Sequence, residues 1–321
     1  MERIKELFER LQKGLLYFRK GDSYFRRSSS NPLDGIELQC ADYPIDFGYL
    51  IGGIHFRNFD DKGVPIQMID GDWIYSNSMI LAYGIGCIQM YLRTGEKKWI
   101  EIAEVQANYI YSNSTDGNNG IVLREYESST GQHTGDCSAM NQGKAASFFL
   151  RMYQLSNDTK WLNRAERSFG NFQIQWDEED GVGFDLPSGG LWLEEYPMIP
   201  LKHTLNGALF GVIGLSEVSD HIPSLSGLRD RVMLGLEEML PRFDRSFWSN
   251  YHFKEENGAI YIASMKYHSL HILQLDIISE KTGSEICKSF QEKFVKYQAN
   301  SISRLRAISQ MTMDKIFKRY L

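Results

Sequence analysis

Residues 138–167, SAMNQGKAASFFLRMYQLSNDTKWLNRAER, decide the fold once they are laid over residues 78–105, SMILAYGIGCIQMYLRTGEKKWIEIAEV. Each segment places a tyrosine eight residues before a tryptophan, Tyr153 before Trp161 and Tyr91 before Trp99. Each then carries Ala-Glu four and five residues past the tryptophan, Ala165-Glu166 and Ala103-Glu104. The layout recurs more weakly at 204–243 and 268–298. In every copy an apolar run rich in small residues leads through a short polar turn into a second run, which reads as an inner helix, a turn and an outer helix. Helix pairs repeated along a chain stack into a solenoid or close into a toroid. The fold class is therefore mainly α, an α/α toroid built as an incomplete barrel of antiparallel helix pairs. Glycine costs helix stability, so Gly84, Gly86, Gly143, Gly207, Gly211 and Gly214 on the inner runs point to close backbone packing.

Outward from the repeats the character changes. Upstream, YLIGGIHFRNF and VPIQMI are short β-rich runs separated by Asp60-Asp61-Lys62-Gly63, a hairpin pattern. Ile4, Leu7, Phe8, Leu11, Leu15 and Phe18 mark one face of a helix over 1–20. The chain thus divides into residues 1–76, an N-terminal helix plus a β-rich segment packed on the toroid, and residues 77–321, the toroid itself. Downstream, 300–321 reads as a final basic helix, and aromatic residues on the terminal helices fit a homodimer.

With 321 residues, 42% of them hydrophobic and 13% aromatic, the chain can bury a large core. No stretch approaches the roughly 20 apolar residues that span a bilayer, and the charged start lacks the features of a secretory signal. Cys40, Cys87, Cys137 and Cys287 are scattered without CxxC or Cys/His spacing, so no zinc site is expected. They read as buried thiols in a reducing compartment, and the expected location is cytoplasmic. A net charge of −6 argues against a nucleic-acid surface. It leaves room for a polyanionic substrate in a locally basic groove.

Three clusters carry chemistry-bearing side chains. Glu194-Glu195-Tyr196 stands ahead of Pro197 and Pro200, on a loop stiffened by proline. Tyr267-His268 is followed by His271, three residues from His268 and on the same helix face. Ser138, Asn141, Gln142 and Lys144 open an otherwise apolar helix. Taken singly, a Glu pair is ordinarily solvated, such histidines are ordinarily satisfied core residues, and Ser138 is ordinarily an N-cap. Together the clusters open inner helices at matching points of different repeats, and in a toroid those openings face one cleft.

LWLEEYPMIPLKHTLNG, SAMNQGKAASFFLRMY and YHSLHILQL together resemble the C-terminal catalytic domain of D-glucuronyl C5-epimerases, clearly from about 138 to 298. The EEYPxxP motif followed by LNG, and the YHxxH motif followed by QL, are specific in combination. The resemblance implies an α/α toroid with β-structure before it. It implies conversion of D-glucuronate units to L-iduronate inside heparan-type chains, by proton transfer on two faces of the sugar and without a redox cofactor. Carried over by motif, Glu195 and Tyr196 occupy the acid/base positions on one side and Tyr267 the opposing one. Gln142, Asn206, His268 and His271 match polar positions and become candidate sugar contacts. Arg124 and Lys202 are candidates for substrate carboxylates. Lys202 and His203 depart from the uncharged residues expected there, and DRSFWSNYHF departs from the family's tyrosine and arginine pattern, with Trp248 and Tyr251 standing in as stacking surfaces. The upstream β-region is shorter than in animal members, so the metal reported for the family is not carried over; neither metal nor cofactor is expected.

The partner expected is a uronate-containing polysaccharide, the heparosan-like polymer of a capsule precursor being one. Two alternatives stand beside epimerisation. A polysaccharide lyase would begin with the same proton loss and then eliminate the 4-linked sugar. A non-catalytic polysaccharide-binding protein would need none of Glu195, Tyr196 and Tyr267. A glycosidase needs two carboxylates across the scissile bond, and adjacent Glu194 and Glu195 point apart.

Overall fold

A computed structural model describes residues 25–28, 40–53, 55–69, 71–117, 120–128, 133–254 and 260–317, with the backbone alone for 125–128, 133–136, 260 and 315–317. The helix expected over 1–20 lies outside the described residues. Four helix pairs follow in chain order, each where the repeat pattern puts it: α1 (Asn77–Thr94) with α2 (Lys98–Asn113), α3 (Ala139–Ser156) with α4 (Thr159–Arg167), α5 (Leu205–Ser219) with α6 (Ser226–Met239), and α7 (Met265–Thr282) with α8 (Glu285–Ala299). A last helix, α9 (Ser301–Phe317), packs on α8. The first member of each pair is an inner helix, and α1, α3, α5 and α7 pack side by side in that order. The architecture is an α/α toroid with few, short strands.

Local chemistry explains the repeat. Three inner helices end on a residue in the left-handed region, Gly95 (φ 68°), Asn157 (φ 55°) and Gly283 (φ 72°). Glycine and asparagine are the residues that enter that region at low cost. The N–H groups of Gly95 and Asn157 donate to the carbonyls of Tyr91 and Tyr153, the repeated tyrosines. Asp158 and Ser284 then cap the next helix, accepting from the amides of Lys160 and Cys287. The repeated tryptophan enters at the start of the outer helix: Trp161 is buried, with its ring 5.7 Å from Phe149 and edge-on to Tyr111.

The inner glycines permit close approach. A Cβ on Gly143 of α3 would fall 2.3 Å from the carbonyl oxygen of Phe210 on α5, and one on Gly214 would fall 2.2 Å from that of Gly143. Either side chain would force α3 and α5 apart.

The strands are short and serve the helix ends. In chain order they are β1 (Gln67–Ile69), β2 (Asp72–Ser76), β3 (Thr115–Gly117), β4 (Gly120–Val122), β5 (Arg124–Ser128), β6 (His133–Cys137), β7 (Gly183–Asp185), β8 (Leu191–Leu193), β9 (Lys202–Thr204), β10 (Asn250–Lys254) and β11 (Ile260–Ile262). They form antiparallel sheets ordered β1-β2-β5-β6, β11-β10-β9, β3-β4 and β7-β8. Each inner helix is preceded by a strand: β2 before α1, β6 before α3, β9 before α5 and β11 before α7. The two larger sheets therefore crowd the N-terminal ends of the inner helices, and the tight turns lie at the other end.

The expected hairpin around Asp60-Asp61-Lys62-Gly63 is present but short, with the Asp60 amide donating to Val64 at 2.9 Å and the Ile66 amide to Asn58 at 3.0 Å. Phe59 and Pro65 make one bridge, the Asp60 carboxylate accepts from the amides of Lys62 (2.9 Å) and Val64 (2.8 Å), and Gly63 takes φ 84°. Residues 48–50 form a 3-10 turn, and the amides of Phe47 and Gly48 donate to Gln89 on α1 at 2.7 and 2.9 Å. That stretch is held by a helix side chain and has no strand to pair with. The next hairpin is β1 with β2, and β2 runs straight into α1, where Ser76 caps the helix. Because β2 also pairs with β5, residues on both sides of position 76 share one sheet. All four cysteines are free and buried. Among the described residues no helix is long and apolar enough to cross a membrane.

Candidate active site

Strand β8 delivers the acidic loop. Leu191, Trp192 and Leu193 are buried, and the next two residues follow them inward: Glu194 is 0% and Glu195 2% exposed. A Glu pair is ordinarily solvated, but this loop inserts both carboxylates. Alternation sends them to different places. The Glu194 carboxylate meets Nδ1 of His203 on β9 at 2.5 Å, walled by the rings of Phe184, Trp192 and Phe253. The Glu195 side chain lies against Gly207, where a Cβ would come within 2.4 Å of its carboxylate oxygen. Gly207 is in the first turn of α5, whose exposed amides give that end a partial positive charge and favour a carboxylate. The loop then passes Tyr196 and the exposed Met198 and Ile199, and returns through a cis Ile199–Pro200 bond into β9.

The three-stranded sheet brings the phenols together. β10 lies between β9, which starts α5, and β11, which starts α7. Tyr251 on β10 and Tyr267 on α7 are half-buried, with ring centroids 4.6 Å apart. Ser264 caps α7, its hydroxyl accepting from the Tyr267 amide at 3.3 Å, which fixes where that ring leaves the helix. The Tyr251 hydroxyl is hydrogen-bonded to both Tyr267 and Tyr196. Each phenol can donate or accept, so the three hydroxyls form one hydrogen-bonded group centred on Tyr251. Burial, and then the Glu195 charge, push both Tyr251 and Tyr267 above the ordinary phenol range. Near neutral pH both are proton donors.

Lys266 stands beside this group, its ammonium 5.7 Å from the Tyr267 ring and 5.3 Å from Phe25; partial burial lowers its proton affinity. On the other side the Arg124 guanidinium is 2.8 Å from Asp180. The two line a groove of about 400 Å³ with Trp176, Pro197, Met198 and Ile199. A larger cavity of about 590 Å³, lined by Arg229, Glu237 and Lys281, opens at the far end of the inner helices. The smaller groove adjoins the loop that carries Glu195 and Tyr196, through Pro197, Met198 and Ile199.

The site expectations divide on this geometry. Glu195, Tyr196, Tyr251 and Tyr267 come together, with Asn206 at the Gly207 seat and Arg124 beside the loop. Asn206 is 3% exposed, and its carbonyl accepts from Gln274 at 3.0 Å. Lys202 pairs in register with Lys254 on β10 and is half-buried. Four residues expected to meet sugar are corrected to supports. Gln142 is fully buried and donates to the Ile121 carbonyl and to Asn171, tying α3 to its outer layer. Trp248 is fully buried, stacked 3.7 Å from His268, with its indole N–H donating to the Ala263 carbonyl at 2.9 Å. No face of that ring is open to a sugar. His268 and His271 are also sealed, each with Nδ1 2.8 Å from the Ser249 hydroxyl, and His268 Nε2 donates to the Phe294 carbonyl at 3.1 Å. Burial pushes His268 down to about 3 and His271 well below its usual value.

Sequence reasoning did not single out Gly207 as the seat of Glu195, Ser249 as the link between the histidines, or Asp180 as the partner of Arg124. All three depend on contacts between distant segments. Ser264, three residues before Tyr267, is by contrast a legible cap signal. Among the described residues no three His, Cys, Asp or Glu side chains converge as metal ligands would.

Residues 113–296, more than half of the chain, match the family model described as D-glucuronyl C5-epimerase C-terminus. The D-glucuronyl C5-epimerase of Caenorhabditis elegans is 27% identical over 176 residues, which are 50% of this chain and 28% of that protein. The matched part is thus under a third of that relative's length. Among solved structures, cellobiose 2-epimerase from Bacillus thermoamylovorans B4167 superposes with a TM-score of 0.56 at 12% identity, covering 74% of this chain and 65% of that one. A sugar epimerase from a ruminal bacterium gives 0.55 at 12% identity, over 73% and 60%. At such identity these two establish the toroid fold alone.

Proposed function

The chain belongs to the D-glucuronyl C5-epimerase C-terminus family, and on that premise we propose that it inverts carbon-5 of D-glucuronate units to L-iduronate within a heparosan-like polysaccharide. The observation that carries this reading is that Tyr196 and Tyr267 are both hydrogen-bonded to Tyr251, with the Glu195 charge acting on Tyr251 and Tyr267. Carbon-5 bears a weakly acidic hydrogen beside the uronate carboxylate. Inversion needs a base on one face, an acid on the other, and stabilisation of the charge that spreads onto the carboxylate.

Glu195, with Tyr196 next to it, is the base side. Tyr267, held protonated by burial and by the Glu195 charge, is the acid on the opposite face. A positioned acid or base contributes roughly 10² to 10⁴ in rate. Charge on the carboxylate meets the N-terminal ends of α5 and α7, and Lys266 and Arg124 are the cations nearest the groove. A proton leaves and a proton returns, so the reaction consumes no oxidant. A glycosidase reading is disfavoured because Glu194 is turned away toward His203.

The test is incubation with unsulfated heparosan in heavy water. Deuterium on carbon-5, with iduronate signals in the proton spectrum, is the expected outcome. Absence of label after exhaustive incubation with glucuronate polymers overturns the reading. An ultraviolet-absorbing unsaturated product would replace it with the lyase.

A further inference from the structure

Three phenols meet at this cleft, although inversion with Glu195 as base calls for one acid on the far face. Tyr251 is the extra one. Its hydroxyl is hydrogen-bonded to both Tyr196 and Tyr267, and its ring packs 4.6 Å from that of Tyr267. A path of hydrogen-bonded phenols therefore joins Tyr196, the neighbour of Glu195, to Tyr267. We propose that Tyr251 is the middle member of a proton relay, Tyr196–Tyr251–Tyr267, which resets the site after each inversion. This rests on the epimerase reading above.

The step balances as follows. The C5–H bond breaks and its proton bonds to the Glu195 carboxylate. The Tyr267 O–H bond breaks, and the electron pair left on carbon-5 takes that proton on the opposite face. The sugar is inverted, but the site now holds a protonated Glu195 and a Tyr267 phenolate, the form suited to the reverse reaction. Tyr251 then gives its proton to Tyr267, Tyr196 gives its proton to Tyr251, and Glu195 gives its proton to Tyr196. The starting protonation returns with no net uptake or release of protons, and the phenol protons exchange with water between turnovers. The hydrogen bonds of the resting site already join the three phenols along this path. Glu195 is buried, so its acid proton has a poor direct route to solvent. Removing the central hydroxyl cuts the path while leaving both reacting groups in place.

The experiment is rapid-quench kinetics with excess heparosan hexasaccharide deuterated at carbon-5, reading inverted uronate by its loss of one mass unit. Wild type is expected to turn over linearly from the first cycle. Tyr251→Phe is expected to give a burst of about one product per site, followed by turnover about tenfold slower or more. Small buffer acids and bases should restore that later rate. A packing role would not produce a burst, since it would slow the first cycle as much as the rest. Tyr251→Leu, which loses the ring as well, should slow the first cycle too. Unchanged kinetics in Tyr251→Phe, or first and later cycles slowed alike, overturns the relay. If wild type neither inverts the sugar nor releases the label, the epimerase reading fails and the relay goes with it; those two failures are distinguished by the wild-type arm alone.

Discussion

Tyr267 and His268 are chain neighbours that end in opposite surroundings. Tyr267 faces the cleft, half-buried, against Tyr251. His268 is sealed between Trp248, Ser249 and Phe294. One residue along a helix is a turn of about 100°, enough to carry a side chain from open groove to packed interior. The YHxxH stretch therefore serves two purposes. Its tyrosine belongs to the reacting groups, and its histidines, with Ser249 between them, hold β10 against α7 so that Tyr251 and Tyr267 stay in register. The same division separates Glu195 from Glu194. One carboxylate lies at the phenols; the other is locked on His203.

The largest effect expected on either side of that division is on turnover. Tyr267→Phe should lower carbon-5 exchange by roughly 10² to 10⁴. Because the ring remains, chemical denaturation should show a stability change under about 1.5 kcal/mol. A folded variant with wild-type exchange would remove Tyr267 from the reaction. Gly207→Ala tests the seat of Glu195. In an ordinary helix the change stabilises by about 1 kcal/mol. Here it should cost about 1–3 kcal/mol through overpacking and reduce exchange at least about tenfold, as Glu195 is displaced. Full activity in Gly207→Ala would mean that the carboxylate has room to spare.

The support side should respond in stability. His268→Leu loses the contacts to Ser249 and Phe294, and should destabilise by about 2–4 kcal/mol in urea unfolding. Exchange per folded molecule should fall far less than in Tyr267→Phe. The histidines also predict a pH dependence. Both are neutral in the folded state, with proton affinity depressed to about 3 for His268. Below the unfolded value of 6.5 the unfolded chain binds more protons than the folded one. Stability is whole above that pH and falls as pH drops toward the folded value, by about 1.4 kcal/mol per pH unit for each histidine. Unfolding midpoints measured from pH 7 to 5 should drop steadily, and the slope should flatten in a His268→Leu, His271→Leu double variant. An unchanged slope would place the titration elsewhere. The smallest effect belongs to Arg124. Its partly exposed pair with Asp180 contributes at most about 1 kcal/mol. Arg124→Gln should leave the melting temperature nearly unchanged and raise KM for a uronate polymer.

Much of the toroid was legible because helix pairs are local. The spacing of Tyr153 and Trp161 reflects an inner helix that must end, cap and turn within a few residues, and each of those steps depends on neighbours in sequence. The upstream hairpin is shorter than its composition suggests: only the end of YLIGGIHFRNF pairs, Phe59 with Pro65, and the start of the run is a 3-10 turn beside the Gln89 anchor of Phe47 and Gly48. At the site, Glu195 and Tyr196 just past a strand and Tyr267 in the first turn of a helix were found together, each placed by its motif. Other residues singled out with them were buried in packing contacts. Gln142, Trp248, His268 and His271 are polar or aromatic, and nothing in composition distinguishes a side chain sealed in the interior from one that waits for substrate.

What the sequence determined by itself is the repeat: its period, its caps and the small residues that let inner helices touch. These are short-range consequences of backbone geometry and side-chain volume. Tertiary structure alone decided which side of each motif faces the cleft, since that depends on how β10 is inserted between β9 and β11 and on the space that Gly207 leaves on a neighbouring helix. Burial and hydrogen-bond satisfaction are properties of surroundings assembled from distant segments, and no single stretch of chain carries them.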